Sequence, residues 1–216
     1  MRRLLAHHGA ARLRGRHFVV EPHFNFWPEI ADVPRDCYLT GYWQSEKYFQ
    51  QASLAIRADF TFRHPLEKHN AEIARKIGQV NSVSLHVRRG DYASNPETNV
   101  THGLCSLEYY QAAIRHVSDR VKQPYFFIFS DDIDWVKDNL ETEFPGQYID
   151  HNQGAESYND MHLMSLCRHH IIANSSFSWW GAWLNPRQDK VVVAPSRWFN
   201  NGPDTKDLLP DNWVSL

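Results

Sequence analysis

The stretch Val83-Ser84-Leu85-His86-Val87-Arg88-Arg89-Gly90-Asp91-Tyr92 sets the reading of the chain. Val83–Val87 is short, apolar and β-branched, and it ends at charged and turn residues as a strand does. Runs of the same kind recur at Tyr125–Phe129, Ile171–Ala173 and Val191–Ala194, with a weaker one at Gln147–Ile149. Between them lie helical stretches. Ser106 to Val121 places Leu107, Tyr110, Ile114 and Val117 at three- and four-residue intervals behind a capping serine. Asp132 to Leu140 and Tyr158 to Cys167 follow the same spacing. Strand, helix, strand in succession means βαβ units, hence a parallel sheet with helices on both faces. Ligands of such sheets bind at the carboxyl ends of the strands, so the residues just after each strand are the candidates.

Outward from this core, Gly41 to Ile77 reads as two helices split near Arg63–Pro65, and Phe18–Val20 as a strand. The division expected is a mostly helical segment over 1–80 and a Rossmann-like domain over 81–216. The whole is 216 residues with 42% hydrophobic content, enough apolar material for a packed core. With 23 basic against 25 acidic residues, no global field draws the chain to nucleic acid. Three cysteines without a C-x-x-C pair suggest neither a zinc knuckle nor a redox dithiol, and fit a reducing compartment. No apolar run spans a bilayer, and the start lacks a secretory signal, so the expected location is cytoplasmic. Residues 1–17 carry Arg2, Arg3, Arg12, Arg14 and Arg16 and no acid. Such a segment is a candidate for peripheral attachment to the inner face of an anionic membrane, though its thin apolar side favours an ordinary tail.

Each strand end offers chemistry with a plainer alternative beside it. Arg88 and Arg89, followed by Gly90, make a clamp for a phosphate or diphosphate; the alternative is a surface pair bridged by Asp91. Ser130, Asp131, Asp132 and Asp134 suit a helix start, with Ser130 or Asp131 as N-cap. Asp132-x-Asp134 also resembles the acidic metal pair of many nucleotide-sugar transferases. Asp160 is either a cap or a carboxylate able to accept paired N–H bonds from a guanine edge. Asn174-Ser175-Ser176-Phe177-Ser178 puts small hydroxyls at a helix opening, where they either bind phosphate or only cap. Trp179 and Trp183, four apart, favour core packing over sugar stacking, and Gly181 a close helix–sheet approach. The signatures of P-loop, dinucleotide-binding and α/β-hydrolase proteins do not occur.

Five segments in order resemble the α-1,2-fucosyltransferases of glycosyltransferase family 11: Gly41-Tyr42-Trp43-Gln44-Ser45-Glu46-Lys47-Tyr48-Phe49, His86 to Tyr92, Phe129-Ser130-Asp131-Asp132, Asn174 to Gly181 with Trp183-Leu184-Asn185, and Leu209-Pro210-Asp211-Asn212-Trp213. The resemblance implies a GT-B-like arrangement of two Rossmann-type halves. It implies GDP-β-L-fucose as donor, the 2-hydroxyl of a galactose-containing oligosaccharide as acceptor, inversion, and neither a metal nor a cofactor. Carried onto this chain, Arg88 and Arg89 hold the diphosphate and His86 lies near the nucleotide. Ser176, Phe177 and Ser178 add phosphate or ribose contacts, and Asp131 and Asp160 contact the nucleoside. Asp91 or His86 is placed to take the acceptor proton. Family members open with a Gly-Gly-Leu-Gly-Asn-Gln turn that does not occur before Gly41. An incomplete N-terminal, acceptor-side half follows as an expectation, and with it an alternative function: a catalytically inactive GDP-sugar- or glycan-binding remnant.

Overall fold

A computed structural model describes residues 18–216, so the arginine-rich start lies outside the described residues. The chain divides into two compact units, one running to Leu54 with Pro203–Asp211 added, the other comprising Ala55–Gly202 and Asn212–Leu216.

In the first unit, β1 (Phe18–Val20) pairs in parallel with β2 (Tyr38–Thr40). Glu21 leaves β1 and receives the N–H groups of Tyr42 and Trp43 at 2.7 and 3.0 Å. This carboxylate anchors a tight turn in which Trp43 adopts φ 53°. A Cβ on Gly41 would stand 2.4 Å from Glu21 Cβ, so the Gly41-Tyr42-Trp43 motif has a structural reason of its own. Tyr48 packs edge-on against both Phe26 and Trp43. Lys47 pairs with Asp207 at 2.6 Å. The expected first helix is shorter than its pattern suggests. The chain makes 3-10 turns at Glu46–Tyr48 and Gln50–Ala52 before α1 (Ser53–Asp59) begins.

The second unit is a six-stranded, wholly parallel sheet. Its strands are β3 (Asn81–Val87), β4 (Pro124–Ser130), β5 (Gly146–Ile149), β6 (His169–Ile171), β7 (Val192–Ala194) and β8 (Val214–Ser215). Their spatial order is β5-β4-β3-β6-β7-β8. Counted from β3, that is the 3-2-1-4-5-6 order of the doubly wound dinucleotide-binding sheet. The direction of winding reverses between β3 and β6, which places the crevice there.

Helices cover both faces. They are α2 (Lys68–Gln79), α3 (Gly90–Ser94), α4 (Pro96–His102), α5 (Leu107–Ser118), α6 (Ile133–Asn139), α7 (Tyr158–Leu166) and α8 (Ser176–Leu184). Alternation along the strands divides the core in two. Val83, Leu85 and Val87 of β3 and Phe126 and Ile128 of β4 meet Tyr110, Ala113, Ile114 and Val117 of α5 and Val136 of α6. On the other face, Phe127, Phe129 and Ile149 meet Ile73 and Ile77 of α2 and Leu163 and Met164 of α7. Both sides being buried explains why β4 reads as a continuous apolar run.

Two local expectations are corrected. The N-cap of α6 is Asp132, whose carboxylate accepts the Trp135 N–H, while Ser130 Oγ accepts the N–H of Asp132 itself. Gly181 serves helix–helix packing: a Cβ there would stand 3.1 Å from Met164 Cβ on α7. Trp179 and Trp183 are buried and stacked, 6.1 Å between centroids, as core packing predicts. No helix among the described residues is long and apolar enough to cross a membrane.

Candidate functional site

The carboxyl ends of β3, β4, β5 and β6 border a cleft of about 600 Å³. That volume is in the range of small-ligand sites. Strand alternation decides which residues enter it. His86 and Arg88 project toward the cleft and line it. Val87 and Arg89 project toward the α5 and α6 layer.

Arg88 donates to Asp91 Oδ1 at 2.6 Å and forms an ion pair with Asp131 Oδ2 at 2.7 Å, and its guanidinium lies 5.2 Å from the Tyr92 ring. Arg89 is outside the cleft lining. Its guanidinium lies 3.6 Å over the Trp135 ring and its Nε donates to Asp132 Oδ2 at 3.0 Å. The two adjacent arginines are thus separated, one facing ligand space and the other clamped to the start of α6. Asp131 is the hinge between them, since its Oδ1 accepts the Arg89 N–H at 2.8 Å. It sits so close to the turn that a Cβ on Gly90 would fall 2.4 Å from its Oδ2. Asp91 is 54% exposed and lies outside the cleft lining, tied to Arg88.

His86 is 5% exposed, and among the described residues no partner meets its Nδ1. Burial outweighs the pull of Asp131 and pushes its pKa down to about 4, with Arg88 acting in the same direction, so the ring is neutral at pH 7.

Across the switch point from β3, Ser175, Ser176 and Phe177 line the cleft. Ser175 is the N-cap of α8 but its hydroxyl caps no N–H. The first-turn N–H groups of α8 have no acceptor within the helix, which makes this end a donor surface for an anion. Ser178 is placed differently: buried, it donates to the carbonyls of Ala173 and Ser175 at 3.3 and 3.1 Å.

The far wall follows β5 and α7. Asp150, Asn152, Gln153, Gly154, Ser157 and Asp160 line it. Asp160 leaves its own helix uncapped and accepts from Asn152 Nδ2 at 2.7 Å. Burial raises its pKa to about 7 against the lowering effect of that bond. The β5 loop is the part of the site that sequence reasoning missed. The weak strand at Gln147–Ile149, with the rule that ligands gather at strand ends, is the signal that points to residues 150–154.

Asp132 and Asp134 do not converge. Asp132 is held by Arg89, and Asp134, 92% exposed, lies toward Lys137. Among the described residues no three His, Cys, Asp or Glu side chains are gathered as a metal site would require.

A cleft at the reversal of a 3-2-1-4-5-6 sheet, with an arginine on one side and an open helix start on the other, fits a nucleoside diphosphate. Comparison with known proteins is decisive at the family level: the description "Glycosyl transferase family 11" matches residues 28–216. The chain belongs to glycosyl transferase family 11. The expected resemblance is therefore upheld for the family.

Within glycosyl transferase family 11, an alpha-1,2-colitosyltransferase of Escherichia coli is 40% identical over 178 residues, 82% of this chain and 61% of that protein. The O-antigen biosynthesis glycosyltransferase WbnK of Escherichia coli is 44% identical over 137 residues, 63% of this chain and 45% of that protein. The galactoside alpha-(1,2)-fucosyltransferase 1 of Saimiri sciureus is 25% identical over 154 residues, 68% of this chain and 42% of that protein. The chain thus spans about half the length of the relatives it matches.

Proposed function

We propose that this family 11 glycosyltransferase moves L-fucose from GDP-β-L-fucose, with inversion, to the 2-hydroxyl of a galactose-terminated glycan. In this reading the six-stranded sheet is the donor-binding half of a GT-B-like pair, and residues 1–80 belong to the acceptor side. The observation that carries it is the pairing of Arg88 with the uncapped start of α8 on opposite sides of the switch point.

The chemistry follows from where charge develops. As the bond from fucose C1 to the β-phosphate oxygen breaks, the ring becomes positive and GDP gains negative charge; the acceptor oxygen forms the new bond at C1 from the opposite face. Arg88, Ser176 and the first-turn N–H groups of α8 meet charge that grows toward the transition state, which is where stabilisation accelerates the step. Asp91, half exposed and bridged to the same guanidinium, receives the acceptor proton. His86, buried and held neutral, forms a wall of the cleft beside the nucleotide. Arg89 contributes by fixing the strand end and the start of α6.

The test is incubation of the chain with GDP-fucose and a β-galactoside, reading GDP release and the glycosidic linkage by NMR, alongside calorimetric titration with GDP. A 2-linked fucosyl product supports the reading, and transfer from GDP-colitose only would reassign the sugar, in line with the name of the colitosyltransferase relative. GDP binding without turnover would favour the inactive remnant, and absence of GDP binding would overturn both.

A further inference from the structure

We infer that Asn70 and Asn152 form a side-chain amide pair that positions Asp160 to read the guanine base, which makes Asn70, outside the cleft on α2, a determinant of base selectivity. This rests on the reading of the cleft as a GDP-sugar site.

Asn152 Nδ2 donates to Asp160 Oδ1 at 2.7 Å and to Asn70 Oδ1 at 3.0 Å. Asn70 Nδ2 returns a bond to Asn152 Oδ1 at 2.8 Å. His151 Nε2 stands 2.7 Å from Asn70 Oδ1, and because an amide oxygen only accepts, His151 presents its N–H there. Both hydrogens of the Asn152 amide are therefore committed. Flipping that amide would face its oxygen against a carboxylate oxygen at the same short distance, which the neighbouring bonds forbid. One oxygen of Asp160 is fixed in this way, and among the described residues no donor meets the other.

A carboxylate held in one plane at the wall of a cleft suits a base edge with two adjacent donors. Guanine presents N1–H and the 2-amino group side by side, whereas hypoxanthine lacks the second donor and adenine has an acceptor in place of the first. Reading that difference requires the carboxylate to stay in plane. Asn152 follows β5 in a loop, where its side chain alone would rotate freely. The reciprocal bonds to Asn70, in the first turn of a twelve-residue helix packed on the core, remove that freedom. Asn70 touches no ligand space, so its role is positional.

The full chain is titrated calorimetrically with GDP, IDP and inorganic pyrophosphate, comparing the unaltered protein with Asn70→Ala, the near-isosteric Asn70→Asp, Asn152→Ser and Asp160→Asn. The unaltered protein should prefer GDP over IDP by about tenfold or more, the loss expected when a bond to a charged group is left unmade. Each variant should bring that ratio toward one while pyrophosphate affinity, set at Arg88 and α8, stays within about twofold. A preserved ratio in both Asn70 variants overturns the inference. So does a loss shared equally by GDP, IDP and pyrophosphate, which marks a merely structural role. An unaltered protein that binds GDP without discriminating against IDP overturns this inference alone, and one that binds no GDP overturns the proposed function with it.

Discussion

Arg88 is ion-paired with Asp131 at 2.7 Å where β3 and β4 end side by side, and Asp131 in turn accepts the backbone N–H of Arg89 at 2.8 Å. The cation that faces the cleft is therefore aimed by a carboxylate that also fixes the turn behind it, and the two neighbouring arginines have separable consequences.

Arg88→Ala should lower GDP affinity at least tenfold, from a loss of about 1.5–3 kcal/mol in charge-assisted bonds, with little change in unfolding midpoint. Arg89→Ala should do the reverse. It frees Trp135 and Asp132 of their partner and costs about 1–2 kcal/mol of stability, while retaining most of the affinity. Calorimetry and thermal unfolding on both variants decide the matter; equal losses of affinity would show that the arginines act together on the ligand.

Gly90→Ala should weaken nucleotide binding and destabilise by about 1–3 kcal/mol, because the new methyl group must displace a carboxylate held from two sides. The double variant Gly90→Ala with Asp131→Ala should cost less than the sum of its parts. Strict additivity in that cycle would mean the two residues do not press on one another.

Asp160→Asn should stabilise the fold at pH 8. The carboxyl has a folded pKa near 7 against an ordinary value of 3.8, so the folded state resists its ionisation; the penalty is absent below about pH 4, grows between 4 and 7, and is complete above 7. An asparagine keeps the bond from Asn152 without that charge, for a gain of up to about 4 kcal/mol at pH 8 that disappears in acid. Urea unfolding at pH 4 and pH 8 measures it. A gain independent of pH would place its origin elsewhere.

His170 should work in the opposite sense. Fully buried between β3 and α8, it donates from Nδ1 to Ser84 Oγ at 2.8 Å and accepts the Asn185 Nδ2 hydrogen at Nε2, also at 2.8 Å. Burial holds its pKa well below 6.5, with Lys190 and His169 adding to the effect. Above pH 6.5 both folded and unfolded states are neutral at this site; as pH falls below 6.5 only the unfolded chain takes up the proton, so stability declines. His170→Gln should be less stable at pH 7.5 but flatter between pH 6.5 and 5 than the unaltered protein. Parallel pH curves would refute the assignment.

Much of this was legible in the sequence. Strands buried on both faces are short apolar runs, and β3, β4, β6 and β7 lie within two residues of the predicted stretches. Ser106 caps α5 as expected, accepting the Tyr109 N–H. What escaped was set by tertiary contacts or by too few residues to form a pattern. β8 is two residues long and exists because Val214 finds Val193. α3 and α4 carry no apolar period, although Asn95 before Pro96 is a recognisable helix start and Asn95 does accept two N–H bonds. In the site, the adjacent arginines read as one clamp, because pairing in sequence hides the alternation that sends consecutive side chains to opposite faces.

That alternation has a practical reach. Ser82, Ser84, His86 and Arg88 share one side of β3, while Val83, Leu85 and Val87 lead on the other to Arg89. At the carboxyl end of the strand, positions 86 and 88 therefore face the cleft while 87 and 89 serve packing. An effort to evolve a new donor preference should randomise positions 86 and 88 and leave 87 and 89 fixed, since a library built on the contiguous motif would lose most of its members to misfolding before any were tested for chemistry.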